Sequence, residues 1–251
     1  MATTENKRTP IRRRGPGPAE MPEATRLKSA TVFDALEDTY GRHRWRSKGT
    51  PLDELIGTVL SQHTSNVNTA RSFRSLRDRF PTWEAVREAP GDEVIDAIRS
   101  GGLARIKGPR IQAILDSIAT RHGELSLDHI ESMSMGEAKQ DLMTLHGVGP
   151  KTAACVLLFS LGRPAMPVDT HVHRVSRRIG LVPPKTSAEA TEPILEDLLG
   201  KDRDRVLTAH LNLIAHGQTV CQSQRPRCEV CPVRDECDYY RLNDGSPAAP
   251  H

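Results

Sequence analysis

The chain has 251 residues, enough for one domain or two small lobes, with 37% hydrophobic residues, 4% aromatic residues and a formal net charge of +3. No apolar run approaches the roughly 20 residues that span a bilayer, and no hydrophobic leader opens the sequence, so a cytoplasmic protein without a membrane partner is expected. Residues 1–27 carry six Lys/Arg against three Asp/Glu and the remainder carries 29 of each, so any basic face must come from placement rather than from net charge.

Residues 1–27 lack periodicity and are rich in Arg, Pro and Gly. They read as a disordered basic tail, with a loose phosphate-binding arm as the functional alternative. Residues 242–251 read as a disordered C-terminus.

Between them the pattern is helical almost throughout. In "TPLDELIGTVLSQH", Leu52, Leu55, Ile56, Val59 and Leu60 recur at spacings of three and four. Thr50 can cap this helix, with Pro51 at its first position. "IQAILDSIATRHG" repeats the logic through Ile111, Ile114, Leu115 and Ile118 and closes at Gly123. Ser134 with Glu137, and Thr186 with Glu189, are spaced as capping boxes. The second box precedes Ile194, Leu195, Leu198 and Leu199, and Gly200 ends that helix. "DRVLTAHLNLIAHG" gives one more helix, ending at Gly217. No run alternates as a strand does, and the expectation is an all-α fold of about ten short helices.

The hairpin segment is "LHGVGPKTA". Gly147 and Gly149 allow a tight turn between a helix finishing at Leu145 and a new one running from Lys151 to Leu161. Backbone N–H groups of such a turn, beside the positive end of a helix dipole, suit an anion. Gly147, Val148, Gly149 and Thr152 are therefore read as a grip on a DNA phosphate. Lys151 is either an ordinary charge at a helix start or a nucleophile. An amine in the first turn of a helix feels a field that disfavours its protonated form, and a neutral amine can form a Schiff base. Asp169, in "PVDTHVHRV", can cap the next helix. Beside a nucleophilic amine it could instead stabilise a developing cationic sugar or move protons.

Cys221, Cys228, Cys231 and Cys237 crowd into seventeen residues, with six, two and five residues between them. Four thiolates this close can hold one tetrahedral zinc or one [4Fe-4S] cube, and the spacing alone favours neither. Arg225, Arg227 and Arg234 lie within the run. A loop pinned by a metal core would present them rigidly to phosphate. Cys155 stands alone in an apolar helix and reads as a small buried hydrophobe.

Together these segments resemble the endonuclease III family of DNA glycosylases. "LHGVGPKTA" is similar to its helix-hairpin-helix motif, "VDTHVHRV" to the loop-plus-aspartate segment that follows, and the four-cysteine run to its iron–sulfur signature. The resemblance covers roughly residues 28–241. It implies a two-lobed helix-hairpin-helix DNA glycosylase fold with a C-terminal [4Fe-4S] cluster loop. Residues 50–163 would form the helical bundle lobe, and residues 28–49 plus 164–241 the cluster lobe.

The resemblance further implies that Lys151 and Asp169 are the catalytic pair and that the four cysteines hold the cluster. The implied partner is double-stranded DNA containing oxidised pyrimidines or abasic sites. The implied activity is bifunctional: base removal, then β-elimination through a lysine Schiff base. A monomer that associates with the nucleoid is also implied. "LSQHTSN" is similar to the loop whose polar side chain enters the base stack, making Gln62 and His63 candidates, and Leu103 in "SGGLARIKG" matches an apolar wedge. His63, Met143, His146 and Pro150 depart from the usual family residues. They leave a catalytically weak abasic-site lyase or lesion-binding paralogue as the alternative.

Overall fold

The computed structural model describes residues 22–47 and 49–243, and among these it contains no strand. Most of the expected basic tail, residues 1–21, lies outside the described residues, as do residues 244–251 of the expected C-terminal tail. The last part of the basic segment is not a tail: the first helix, α1 (Glu23–Tyr40), already starts at Glu23. Its Val32, Phe33 and Leu36 are buried, and burial of that face holds the helix despite its polar start.

Seven helices build a first core. They are α2 (Pro51–Ser61), α3 (Asn66–Arg79), α4 (Trp83–Glu88), α5 (Gly91–Ala97), α6 (Ala104–His122), α7 (Met135–Met143) and α8 (Pro150–Cys155). Leu55, Ile56, Val59 and Leu60 of α2 meet Ile111, Ile114, Leu115 and Ile118 of α6 within one buried cluster. Truncating any of these to Ala would cost about 2–5 kcal/mol.

The local signals act as expected. The Thr50 side chain accepts from the Asp53 N–H while Asp53 accepts from the Thr50 N–H, with Pro51 at the first helical position. Ser134 and Glu137 close the same box on α7. Gly123 ends α6 in the left-handed conformation. The hairpin helix differs from its expectation. α8 stops at Cys155, and a single π-helical turn over Val156–Ser160 carries the chain onward. Val156 and Leu157 pack in the first core, whereas Leu158 packs in the second. The widened turn is where the chain passes from one core to the other.

The second core joins α1 to α9 (Thr170–Ile179), α10 (Ala188–Leu198), α11 (Arg203–Thr219) and α12 (Asp238–Leu242). Ser187, not Thr186, caps α10: its hydroxyl accepts from the Ala190 N–H, and the helix begins one residue later than the Thr186–Glu189 box requires. α11 runs two residues past Gly217, to Thr219. Cys221, Val233 and Cys237 close this core from the C-terminal side.

The cores are tied together directly. Lys139 of α7 donates to the buried Glu192 of α10 at 2.5 Å. The Trp45 indole, ahead of α2, donates to the Phe159 carbonyl in the π turn at 3.2 Å.

Candidate functional site

Lys151 occupies the first turn of α8 and Asp169 is the N-cap of α9, both half-buried. Asp169 Oδ1 accepts from the Val172 N–H at 2.8 Å. The capping role is thus real, and it fixes the carboxylate rather than consuming it, since a second oxygen remains. Two buried side chains feel both residues. The Cys155 thiol lies one turn beyond Lys151 and within hydrogen-bonding reach of it, and Asp169 acts on it as well. Burial pushes that thiol up to about 11, against the pull of Lys151. Cys155 is therefore a neutral filler and not a nucleophile.

The other shared neighbour is His210, on α11. Its ring is buried, its Nδ1 lies 2.9 Å from the Pro167 carbonyl, and Phe159 meets it edge-on at 5.7 Å. Burial, reinforced by Lys151 and opposed by Asp169, pushes His210 down to about 4. It stays neutral at pH 7, with Nδ1–H donating to Pro167. The sequence reading did not single out His210; the polar residue in the apolar pattern "LTAHLNLI" was the only signal.

A depressed histidine pKa has a fixed sign in stability. The unfolded chain takes up a proton on this ring near pH 6.5, but the fold cannot until about pH 4. The stabilisation is complete above the unfolded value and is lost as pH falls through that window, by about 3 kcal/mol at the low end. We expect the melting temperature to drop between those two pH values, and His210→Gln to flatten part of that slope. An unchanged slope would show that the ring is not buried neutral.

The hairpin presents backbone outward. Gly147 is exposed with φ of +76°, while Val148 and Thr152 are buried, so their side chains serve the core and not a ligand. Gly147 has a second reason to lack a side chain: a Cβ there would stand 2.6 Å from Arg110 Nε. Arg110 also donates to Gln62 Oε1 at 2.8 Å. It therefore links the hairpin to the loop after α2.

That link distinguishes Gln62 from its neighbour His63. Gln62 is held inward, whereas His63 is exposed with φ of +53°. Leu103 is 49% exposed and also left-handed, with φ of +51°. A non-glycine residue held in this conformation costs about 1–2 kcal/mol.

The four cysteines are unpaired and line one small cavity with Ile179, His216 and Tyr239. Among the described residues, no three of the sulfurs lie within 4.8 Å of one another. Ligands of a single tetrahedral zinc would stand about 3.8 Å apart. A soft, four-sulfur donor set facing one cavity is of the kind that holds a metal centre. Cys231 is pushed up to about 12, chiefly by burial, and burial also raises Cys228 and Cys237.

Polar groups already lie against the sulfurs. His216 Nε2 lies 3.6 Å from Cys231 Sγ, with the Tyr40 hydroxyl on Nδ1 at 3.0 Å, and Arg178 donates to Cys221 Sγ at 3.6 Å. Arg174 and Arg178 of α9 pin the carbonyls of Cys221, Gln222 and Ser223. Arg225 and Arg227 are exposed. Arg227 pairs with Glu229 at 4.0 Å, and Arg234 pairs with Asp235 at 3.3 Å and lies over the Tyr240 ring at 5.6 Å.

A cavity of about 910 Å³ opens beside Arg177, Arg178, Leu181 and Arg241, but neither Lys151 nor Asp169 lines it. Its one carboxylate, Asp238, is paired with Lys28 at 2.6 Å. This cavity is separate from the Lys151–Asp169 pair.

The family model for HhH-GPD superfamily base excision DNA repair proteins matches residues 56–201, a stretch that holds Lys151 and Asp169 and ends before the four clustered cysteines. Endonuclease III of Thermotoga maritima is 35% identical over 193 residues, covering 76% of this chain and 84% of that one. A plant DNA glycosylase candidate from Arabidopsis thaliana is 40% identical over 157 residues, 62% of this chain; the match spans 50% of that relative's length. Among solved structures, a non-covalent endonuclease III–DNA complex aligns at 26% identity with a TM-score of 0.73, covering 88% of this chain and 99% of the other. A trapped covalent endonuclease III–DNA intermediate aligns at 27% with a TM-score of 0.72, covering 87% and 98%. The chain belongs to the HhH-GPD superfamily of base excision DNA repair proteins and, within it, to the endonuclease III family.

Proposed function

We propose that this chain is a bifunctional DNA glycosylase and abasic-site lyase acting on oxidised pyrimidines in duplex DNA. One observation carries the reading: Lys151 and Asp169 converge on the same two buried neighbours, Cys155 and His210. The electrostatic reach of both groups to the same two side chains supports pairing the amine that follows the hairpin with the carboxylate fixed by α9.

The lesion is turned out of the stack to reach this pair. The Lys151 amine adds to C1′ of the sugar, and the bond from C1′ to the base breaks. The base leaves with the electron pair and takes up a proton. Ring opening leaves an iminium at C1′. Loss of a C2′ proton then expels the 3′ phosphate, which breaks the C3′–O bond and nicks the strand 3′ to the lesion. Water releases the lysine. Asp169 stabilises the positive charge that develops on the sugar and relays protons. Neutral His210 packs behind the pair without adding a competing cation.

The backbone of Gly147, Val148 and Gly149 grips a phosphate of the damaged strand. His63 fills the gap left by the base, because Gln62 is held by Arg110, and Leu103 wedges the step beside it. Arg225, Arg227 and Arg234 offer phosphate contacts from the cysteine loop, with Arg225 and Arg227 the more exposed. The two hydrophobic cores support a bundle lobe over residues 50–163 and a cluster lobe over 28–49 plus 164–241, with DNA between them. Cys221, Cys228, Cys231 and Cys237 are assigned as ligands of a [4Fe-4S] cluster. When bound, it supplies a rigid core for the loop and no chemistry on the substrate. The protein works as a monomer in the cytoplasm, associated with the nucleoid.

Borohydride trapping on two labelled duplexes tests the reading. One carries thymine glycol, the other an abasic site. Trapping on both is expected. Trapping on the abasic duplex alone would reduce the activity to a lyase, or to a glycosylase for another base. Trapping on neither would leave a lesion-binding protein.

A further inference from the structure

Lys107 is 2% exposed, among the least accessible large side chains of the molecule. No carboxylate partners it. Its Nζ donates to the Leu60 carbonyl at 2.6 Å, the Thr64 hydroxyl at 2.6 Å and the Gly101 carbonyl at 3.0 Å. Those three bonds use all the hydrogens of an ammonium. The Thr64 hydroxyl passes its own hydrogen to the Gly101 carbonyl. Burial, with Arg110 adding to it, lowers the Lys107 pKa.

Burying an unpaired cation is costly unless every hydrogen finds an acceptor. Core packing alone would be served by a methionine of similar length, so the bonds themselves need a reason. Their acceptors give one. Leu60 lies in the last turn of α2, Thr64 in the loop that follows it, and Gly101 in the turn ahead of α6. The first of these loops carries His63 and the second carries Leu103. Those two are among only three non-glycine residues with positive φ among the described residues. Both strained, exposed side chains hang from one buried ammonium.

We infer that Lys107 is a positioning residue that sets the separation and register of the two loops that enter the duplex. It touches neither lesion nor sugar. This inference rests on the glycosylase/lyase reading above and adds to it the means by which insertion is prepared in advance. The hub sits inside the first core and is complete without DNA. The loops therefore meet the duplex already ordered, which lowers the conformational cost of opening the stack.

A hub that acts on duplex opening should matter for a paired lesion and little for an unpaired one. Lys107→Met and Thr64→Val are compared with the wild type in single turnovers on two substrates: thymine glycol in a duplex and an abasic site in a single strand. We expect Lys107→Met to slow the paired substrate by about 100-fold, the scale of a small misplacement, while the unpaired site is nicked at nearly the wild-type rate. Thr64→Val, which removes one arm and keeps the ammonium, should show the same selectivity with a smaller loss. It also carries the test if Lys107→Met does not fold. Equal losses on both substrates would reduce Lys107 to a stabilising residue and overturn the inference, as would an unchanged rate on the duplex. Should the wild type trap on neither substrate, the glycosylase/lyase reading fails instead. Should it trap only on abasic sites, the same comparison is made between duplex and single-stranded abasic DNA.

Discussion

Lys151→Ala should abolish borohydride trapping and lower strand nicking by on the order of 10⁴-fold or more, the scale of losing an essential nucleophile. Binding to abasic duplex should weaken by no more than about tenfold, the worth of a single phosphate-steering charge at roughly 1.4 kcal/mol. The contrast follows from the surroundings of this amine. Three other lysines are already engaged: Lys107 is sealed by three acceptors, Lys139 is paired with Glu192, and Lys28 is paired with Asp238. Persistent trapping in Lys151→Ala would place the nucleophile elsewhere. Asp169→Asn makes the complementary separation. Asparagine caps a helix about as well as aspartate, so α9 should survive while the charge is lost. A large fall in rate at nearly unchanged melting temperature would assign Asp169 to the chemistry. An unchanged rate would leave it a cap.

The legible parts of this protein are those whose cause lies within a few residues. The Thr50–Asp53 and Ser134–Glu137 boxes, the Gly123 cap and the Asp169 cap all close over three or four positions. The hairpin and the cysteine spacing are local in the same sense. The cap of α10 slipped by one because Thr186 and Ser187 are adjacent hydroxyls, and either could have served until packing chose. His210 and Lys107 were illegible for a different reason. Their partners, Pro167 and Leu60, stand 43 and 47 residues away. A lone histidine or lysine in an apolar pattern carries no sign of what it will meet. The same holds for Gln62 and His63. Sequence made both candidates, His63 by position, and the bond from Arg110 of α6 to Gln62 could not be read from it.

Cys231→Ser should remove the visible absorbance of the purified protein together with its iron, and expose the loop between Cys221 and Cys237 to protease. The physical case starts from how little else holds that loop. Its own secondary structure is two short 3-10 turns, Cys228–Val230 and Arg234–Glu236. Much of the rest of its anchorage is the set of carbonyls pinned by Arg174 and Arg178. Burial favours the protonated thiol at Cys228, Cys231 and Cys237, with Cys231 pushed up to about 12. A cluster must displace those protons to bind, so its assembly should grow weaker as pH falls. Serine keeps the size and loses the soft donor. The loss should reach beyond the loop, because Cys221 and Cys237 are themselves part of the second core that seats α1, α9 and α11. A several-kcal/mol drop in stability is the scale expected for an undone structural metal site. Zinc without iron in the wild type would overturn the cluster assignment, and the sulfurs would then have to close around a smaller ion. Retained iron in Cys231→Ser would instead show that three cysteines suffice, and would return Cys231 to its contact with His216 as a packing residue.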